Sequence, residues 1–249
     1  MNFMHSPEIV LSFNEIFFYF TRAAVGVGVP YGLAEDFARS SIWLGVNGFD
    51  PAKHTLPALK SLDEGKSSIK IFQTDKINET LFSSLERKKV SALQGGVAIC
   101  DSIESLSEKS YTKHKFIIKN VDCPLLIAAA IGNYNSTSWK ISWKGPISKI
   151  ISFYLFQNGY FKTCLLDDNS FKNCSPSDVL IERIDNQNIN SKKLKNLKTY
   201  SKNRKKFLEK GIAIYSDWGS LHSYFSRVLV PSDEKSRVSG AGAGLIDKD

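Results

Sequence analysis

Between Phe116 and Leu166 lies the clearest sheet signal of the chain, because alternating apolar residues there give the period of two that a strand with one face in a core requires. Thr137 to Trp143 places Trp139, Ile141 and Trp143 on a single face before Lys144-Gly145-Pro146 breaks the run. Ile150 to Phe156 and Tyr160 to Leu166 then flank Asn158-Gly159. That dipeptide accepts the positive φ angles of a type I′ turn, so the two segments predict a hairpin and the three together a three-strand antiparallel meander. Phe116 to Val121 and Val179 to Ile184 are further strand candidates, and Pro124 to Ile131 is an apolar run that fits either a buried helix or a buried strand.

The first sixty residues follow a different period. Ser12-Phe13-Asn14-Glu15 has the spacing of a capping box, in which the serine hydroxyl accepts the N3 amide and the glutamate reaches back to the cap amide. The helix it starts carries Phe13, Ile16, Phe17, Phe20 and Ala24 at intervals of three and four, with Gly26 and Gly28 as an exit. Pro30 precedes a second helical pattern over Tyr31 to Val46, whose face carries Leu33, Ala34, Phe37, Ala38, Ser41 and Leu44. A third short helix is expected around Leu56 to Leu62.

After Ser67 the spacing predicts a short alternating segment over Ser68 to Gln73, a helix from Lys76 to Lys89 through Ile77, Leu81 and Leu85, and a helix over Val90 to Leu106 entered by a glycine turn at Gly95-Gly96. Near the other end, Ser191 can cap a basic amphipathic helix over residues 192–210, with Leu194, Leu197, Tyr200, Arg204, Phe207 and Leu208 along one side and Gly211 as its stop. Gly211 to Tyr215 then reads as a strand and Ser216 as the cap of a last helix through Trp218, Leu221 and Phe225. The expected fold is α/β, α+β-like: an N-terminal three-helix unit over residues 1–64 packed on a mixed or antiparallel sheet with additional helices in a body over 65–249.

Charge restricts the partners. The formal net charge is +8, and between Lys192 and Lys210 nine basic residues face one acid, Glu209, so this one segment holds the whole excess. It is almost free of arginine, carries its aromatics on the apolar side and follows no nucleic-acid motif, which argues for a solvated face over a nucleic-acid surface. A noncatalytic interaction module binding nucleic acid or protein through residues 192–210 is the alternative reading. The run from Ile9 to Phe20 is interrupted by Ser12, Asn14 and Glu15, and Pro124 to Ile131 is far shorter than the roughly 20 residues a bilayer requires. The N-terminus lacks the basic head and cleavage site of a secretory signal, so a cytoplasmic location is expected. Cys100, Cys123, Cys164 and Cys174 form no C-x-x-C pair and have no histidine at ligand spacing; they read as small core residues, and no metal is expected.

Three stretches carry a resemblance. Leu11-Ser12-Phe13-Asn14-Glu15-Ile16 with Tyr31-Gly32-Leu33-Ala34-Glu35-Asp36, then Trp218 and Leu221, and finally Val230 to Arg237 leading into Gly240-Ala241-Gly242-Ala243-Gly244-Leu245-Ile246-Asp247 resemble the bacterial family known as domain of unknown function 3726. In that family the pattern ends Asp-Asn-Asp, where this chain has Asp247-Lys248-Asp249. The resemblance supplies no catalytic residue. A weaker similarity covers Val25 to Leu59, where the order of helix, Gly-Val-Pro, Leu-Ala-Glu, helix, Gly-Phe-Asp, His and Leu-Pro looks like the opening of the malate/L-lactate dehydrogenases that lie outside the Rossmann class. In those enzymes an Asp-Ser-His-Gly sequence supplies the catalytic histidine. Here Asp50-Pro51-Ala52-Lys53-His54 shifts the histidine by two positions and lacks the glycine, which makes a diverged relative the implied reading.

The candidate chemistry follows from these positions. His54, four residues after Asp50, is the best general acid or base among the scattered His5, His54, His114 and His222. Asp101, beside Cys100, either faces a cleft or caps a helix. Glu35 and Asp36 sit in the first turns of a helix, where the dipole stabilises them without a catalytic role. The tail over 239–245 has no following helix to hold a pyrophosphate, but the bare amides of Gly240, Gly242 and Gly244 with Ser236, Arg237 and Arg227 would suit a small anionic metabolite. A metabolic enzyme or ligand-binding subunit acting on such a metabolite is the expectation; the sequence specifies no cofactor.

Overall fold

The structure is a computed structural model and describes residues 7–105, 114–134, 137–145, 149–156, 161–163, 176–184, 198–200 and 204–229. Three helices come first. α1 (Phe13–Gly26) opens on the expected capping box: Ser12 N–H donates to Glu15 Oε2 at 2.7 Å and Glu15 N–H donates to Ser12 Oγ at 3.3 Å. α2 (Tyr31–Val46) buries Ala34, Phe37, Ala38, Ser41 and Leu44, the face its spacing predicted. α3 (Pro51–Asp63) begins earlier than expected, because Asp50 accepts the amides of Ala52 and Lys53 and Pro51 occupies the first helical position, where no amide is needed.

The main sheet has the strand order β11-β9-β8-β7-β10-β6-β4-β3, with β5 joining β6 and β2 joining β5. Its strands are β2 (Ser67–Ser68), β3 (Ile71–Lys76), β4 (Glu79–Ser84), β5 (Lys89–Val90), β6 (Lys115–Val121), β7 (Trp139–Lys144), β8 (Ile150–Leu155), β9 (Phe161–Thr163), β10 (Ser177–Arg183) and β11 (Lys198–Tyr200). The β7-β8-β9 meander is antiparallel with Ile141 opposite Phe153 and Phe153 opposite Thr163; the Asn158-Gly159 turn lies outside the described residues. β4, β5 and β6 are parallel to one another where they pair. α4 (Ala92–Ser105) is the crossover between β5 and β6, and α5 (Pro124–Tyr134) leads from β6 towards β7, with β10 inserted antiparallel between those two strands. Trp139, Ile141, Trp143, Val179, Ile181, Phe116 and Ile118 point into the core, while Lys115, Glu182 and Lys140 form a cross-strand ion-pair row on the other face.

Two expectations fail for identifiable reasons. Lys76 to Lys89 is not a helix but the β3–β4 hairpin and β5: Ile77 and Asn78 make the turn, Asn78 at φ 63°, and Thr80 and Phe82 rather than Leu81 and Leu85 point inward. Residues 192–210 are not one helix either. Lys198–Tyr200 pairs with β9 as an edge strand, and among the described residues of the segment only α6 (Arg204–Lys210) is helical. A β-branched and an aromatic residue there favour the extended form, and lysine at a sheet edge discourages further pairing. The apolar side proposed for Leu194 to Leu208 is therefore not continuous, and Leu194 and Leu197 lie outside the described residues.

β12 (Ile212–Ile214) pairs with β1 (Ile9–Leu11), which brings the last described helix, α7 (Trp218–Ser226), against α1. One buried cluster runs from Leu11 to Phe225, through α2, α4 and α5 and across the sequence boundary at residue 64. Among the described residues no helix is long and apolar enough to cross a membrane.

Candidate functional site

α4 and α5 pack so closely that side chains between them are nearly absent. A Cβ on Gly96 would stand 2.7 Å from the Cβ of Ala130, and one on Gly95 would stand 3.2 Å from Ile127. Gly95-Gly96 is thus a contact face inside a helix, not the turn its composition suggested. Because both helices follow strands of one direction, they run parallel and their carbonyl ends emerge on the same side. α2 crosses both.

A cavity of about 320 Å³ remains where the three helices meet, a size in the range of small-ligand sites. Phe37, Leu93, Val97, Leu126 and Ala130 make its apolar wall; Asp36, Arg39 and Ser40 of α2, Cys100 and Asp101 of α4, and Asn133 and Tyr134 of α5 supply the polar groups. Asp101 is exposed in the third turn of α4, so it faces the cleft and caps nothing. Arg39 Nη1 donates to Asp36 Oδ1 at 2.8 Å, and Nη2 lies 3.7 Å from Glu35 Oε2. The two early-turn carboxylates of α2 thus hold one guanidinium at the cavity mouth. Burial, with the added charge of Asp101, Asp36 and Glu104, pushes the Cys100 thiol up to about 12. At neutral pH it is a protonated thiol and no nucleophile.

A second cavity, of about 440 Å³, lies further along α2, lined by Phe13, Asn14 and Phe17 of α1, Ile42, Trp43 and Val46 of α2, and Leu208 of α6. Arg39 and Asn133 line it too. The guanidinium carbon stands 5.5 Å from the centre of the Phe17 ring, within cation–π range.

The other sequence candidates fall elsewhere. His54 is buried in α3, its ring edge-on to Phe49 at 5.6 Å and its carbonyl accepting the Cys123 thiol at 3.3 Å; it lines neither cavity. Asp50 is likewise buried, and its Oδ2 accepts the amides of Tyr215 and Ser216 at 2.8 and 3.1 Å. The Asp50–His54 pair is a structural element of the core. Arg227 forms a two-bond pair with Asp63, 2.5 and 3.1 Å, on the surface beside Tyr224. Ser236, Arg237, Gly240, Gly242 and Gly244 lie outside the described residues, as do His5, Cys164 and Cys174. His114 bonds Thr80 Oγ1 at 2.9 Å, and that hydroxyl donates to Asp75 at 2.7 Å; His222 stands among Tyr19, Trp218 and Phe225. Among the described residues no three His, Cys, Asp or Glu side chains gather in a way that could hold a metal ion.

One buried group was missed by sequence reasoning. Asp122, at the end of β6, accepts the Ala92 amide at 2.8 Å and so caps α4 from 30 residues away. Burial raises its carboxyl to about 6, although the Ala92 bond favours the charged form. Its other oxygen is buried, and the Ser67 hydroxyl beside the carboxylate also favours the charged form. An acid next to Cys123-Pro124 at a strand-to-helix junction was the available signal.

Residues 11–89 match the family described as protein of unknown function, DUF3726. The match takes in α1 and the Tyr31 to Asp36 segment; the glycine-rich tail lies beyond it. No curated protein matches the sequence. Among solved structures, a dehydrogenase from Sinorhizobium meliloti superposes with a TM-score of 0.57 at 10% identity, covering 87% of this chain and 99% of that one. A putative malate/lactate dehydrogenase from E. coli gives 0.52 at 8% identity, over 93% and 98% of the two chains. At these identities the likeness is one of fold, and it agrees with the malate/L-lactate dehydrogenase similarity read at Val25 to Leu59.

Proposed function

We propose that this chain is a ligand-binding relative of the dehydrogenases that share its fold, and that its site is the cavity between α2, α4 and α5. The supporting observation is the lining of that one space by a guanidinium, Arg39, and by carboxylates from two different helices, Asp36 and Asp101. Arginine presents five donors, and one of them is bonded to Asp36 while Glu35 stands 3.7 Å from Nη2, which leaves donors for a ligand carboxylate. The carbonyl end of α5, whose last residues Asn133 and Tyr134 line the cavity, together with Asp36 and Asp101, makes the same space electronegative and favours a cation there. A purely anionic compound satisfies the arginine and is repelled by the rest. A small zwitterion, carrying a carboxylate and an ammonium on an apolar body, satisfies both.

The names of the similar folds point to malate and lactate, which are small carboxylates, so a carboxylate anchor fits the fold as well as the cavity. Catalysis is a weaker reading: His54 is packed in α3 away from the cavity and the Cys100 thiol is protonated. Thermal-shift and calorimetric titration with a panel of α-amino acids, malate and lactate tests the proposal. Zwitterions are expected to raise Tm, and Arg39→Ala and Asp101→Ala each to weaken binding about ten-fold. No response to any amino acid, or turnover of malate or lactate with a nicotinamide cofactor, would overturn it.

A further inference from the structure

We infer that the two adjoining cavities along α2 form one bipartite site, and that its ligand class is an α-amino acid bearing an aromatic side chain. This rests on the zwitterion reading of the first cavity and specifies what lies beyond it. Arg39 and Asn133 line both spaces, so the two cavities adjoin at these residues. Both residues are exposed and belong to different helices, α2 and the last turn of α5.

The second cavity has the chemistry of a ring site. Phe13, Phe17 and Trp43 surround it with Ile42, Val46 and Leu208, and aromatic walls hold a flat ring by stacking or edge contact. Trp43 is itself fixed: its indole packs against Gly132, where a Cβ would come within 2.5 Å, and lies 5.5 Å from the Phe161 ring. A ring entering there meets a wall that is already ordered, which lowers the entropy lost on binding. Apart from Arg39, the polar side chains in this cavity are the neutral carboxamides of Asn14 and Asn133. They can bond a hydroxyl or ring N–H but give no reason for a second charge. The head and the ring are therefore sorted by charge. The ammonium lies towards Asp36 and Asp101, the carboxylate sits on Arg39 at the junction, and the ring reaches into the uncharged side.

The test compares L-phenylalanine with L-alanine by calorimetry on the full chain. The head group is identical, so the first cavity contributes equally and the difference reports the second. Phenylalanine is expected to bind at least ten-fold more tightly, and tryptophan emission is expected to shift as the ring meets Trp43. Leu208→Trp, at an exposed position of the second cavity, fills that space from outside and is expected to lower the phenylalanine-to-alanine affinity ratio at least five-fold. Asn14→Trp, at a second exposed position, serves if the first variant does not fold. If alanine binds and phenylalanine binds no better, the bipartite site is wrong while the zwitterion reading stands. If neither binds, the zwitterion reading fails and the inference falls with it. An unchanged ratio in both variants would also overturn the inference, because the ring would then lie elsewhere.

Discussion

The carboxylate of Asp50 accepts the backbone N–H of Tyr215 at 2.8 Å, joining the start of α3 to a residue 165 positions later. One side chain thus satisfies two chain segments: Oδ1 takes the first amides of α3, and Oδ2 takes those of Tyr215 and Ser216 just before α7. The position that a general acid–base reading pairs with His54 is used up by main-chain amides. Burial raises its pKa, against the amides of Tyr215, Lys53 and Ser216 that favour the charged form.

Asp50→Ala leaves these amides without their acceptor at a buried site, and a loss of about 3 kcal/mol in unfolding free energy is expected. Asn in its place retains one acceptor oxygen but turns an NH2 group towards donors at one end or the other, so its cost should be intermediate. Urea unfolding measures both, and faster hydrogen exchange at Tyr215 and Ser216 would locate the effect. Wild-type stability in Asp50→Ala would refute the double cap.

Asp122 predicts a pH dependence of definite sign. Its folded pKa, about 6, exceeds that of an ordinary aspartate, so the folded chain holds this proton more tightly than the unfolded one. The stability it contributes is complete below about pH 4 and is lost as pH rises through about 6, by at most ~3 kcal/mol. Asp122→Asn keeps an oxygen for the Ala92 amide and removes the titration. The variant is therefore expected to gain on the wild type between pH 4.5 and 7 in parallel urea titrations. A constant difference across that range would show that Asp122 is already ionised in the folded chain, as in the unfolded one, and that its pKa is not raised.

How much of this was legible beforehand depended on whether the signal was local. The capping box at Ser12 and the alternation of Trp139, Ile141 and Trp143 are decided within a few residues, and both elements appear as expected. Ile77, Leu81 and Leu85 repeat at four just as a helix face would, and only pairing with β3 and β6 turns that segment into strand. Thr80 and Phe82 held the competing period of two. The basic segment misled for a related reason, since Lys198–Tyr200 gains an edge partner in β9 that no local pattern announces. For the site, Asp36 and Asp101 were each noted, but their approach depends on α2 crossing a glycine-packed α4–α5 pair. His54 shows the converse: a histidine four residues after an aspartate has the same sequence whether it faces a substrate or a core.

The glycine contact between α4 and α5 can be tested directly. A methyl at Gly96 gains helix propensity of about 1 kcal/mol, yet its Cβ would sit 2.7 Å from that of Ala130, and overpacking of this kind costs about 1–3 kcal/mol. A net destabilisation of about 1 kcal/mol is expected for Gly96→Ala. The double variant Gly96→Ala, Ala130→Gly exchanges the two sides of the contact and should recover most of the loss. Additive effects in the unfolding free energies would mean that the helices do not meet there.

Cys100 offers a measure of the cavity's field. With its pKa at about 12, only about one thiol in 10⁴ is ionised at pH 8, against roughly a quarter for an unperturbed cysteine. Alkylation by iodoacetamide, followed at the Cys100 peptide by mass spectrometry, should therefore run at least a hundred-fold slower than for free cysteine. Burial is the larger cause, so unfolding in urea should abolish most of the difference. The carboxylates supply the remainder, and Asp101→Asn should speed the reaction in the folded chain without altering the rate in urea. That combination separates charge from access: a cavity without net negative potential would leave the Asp101→Asn rate equal to the wild type, and would remove the physical ground for placing an ammonium beside it.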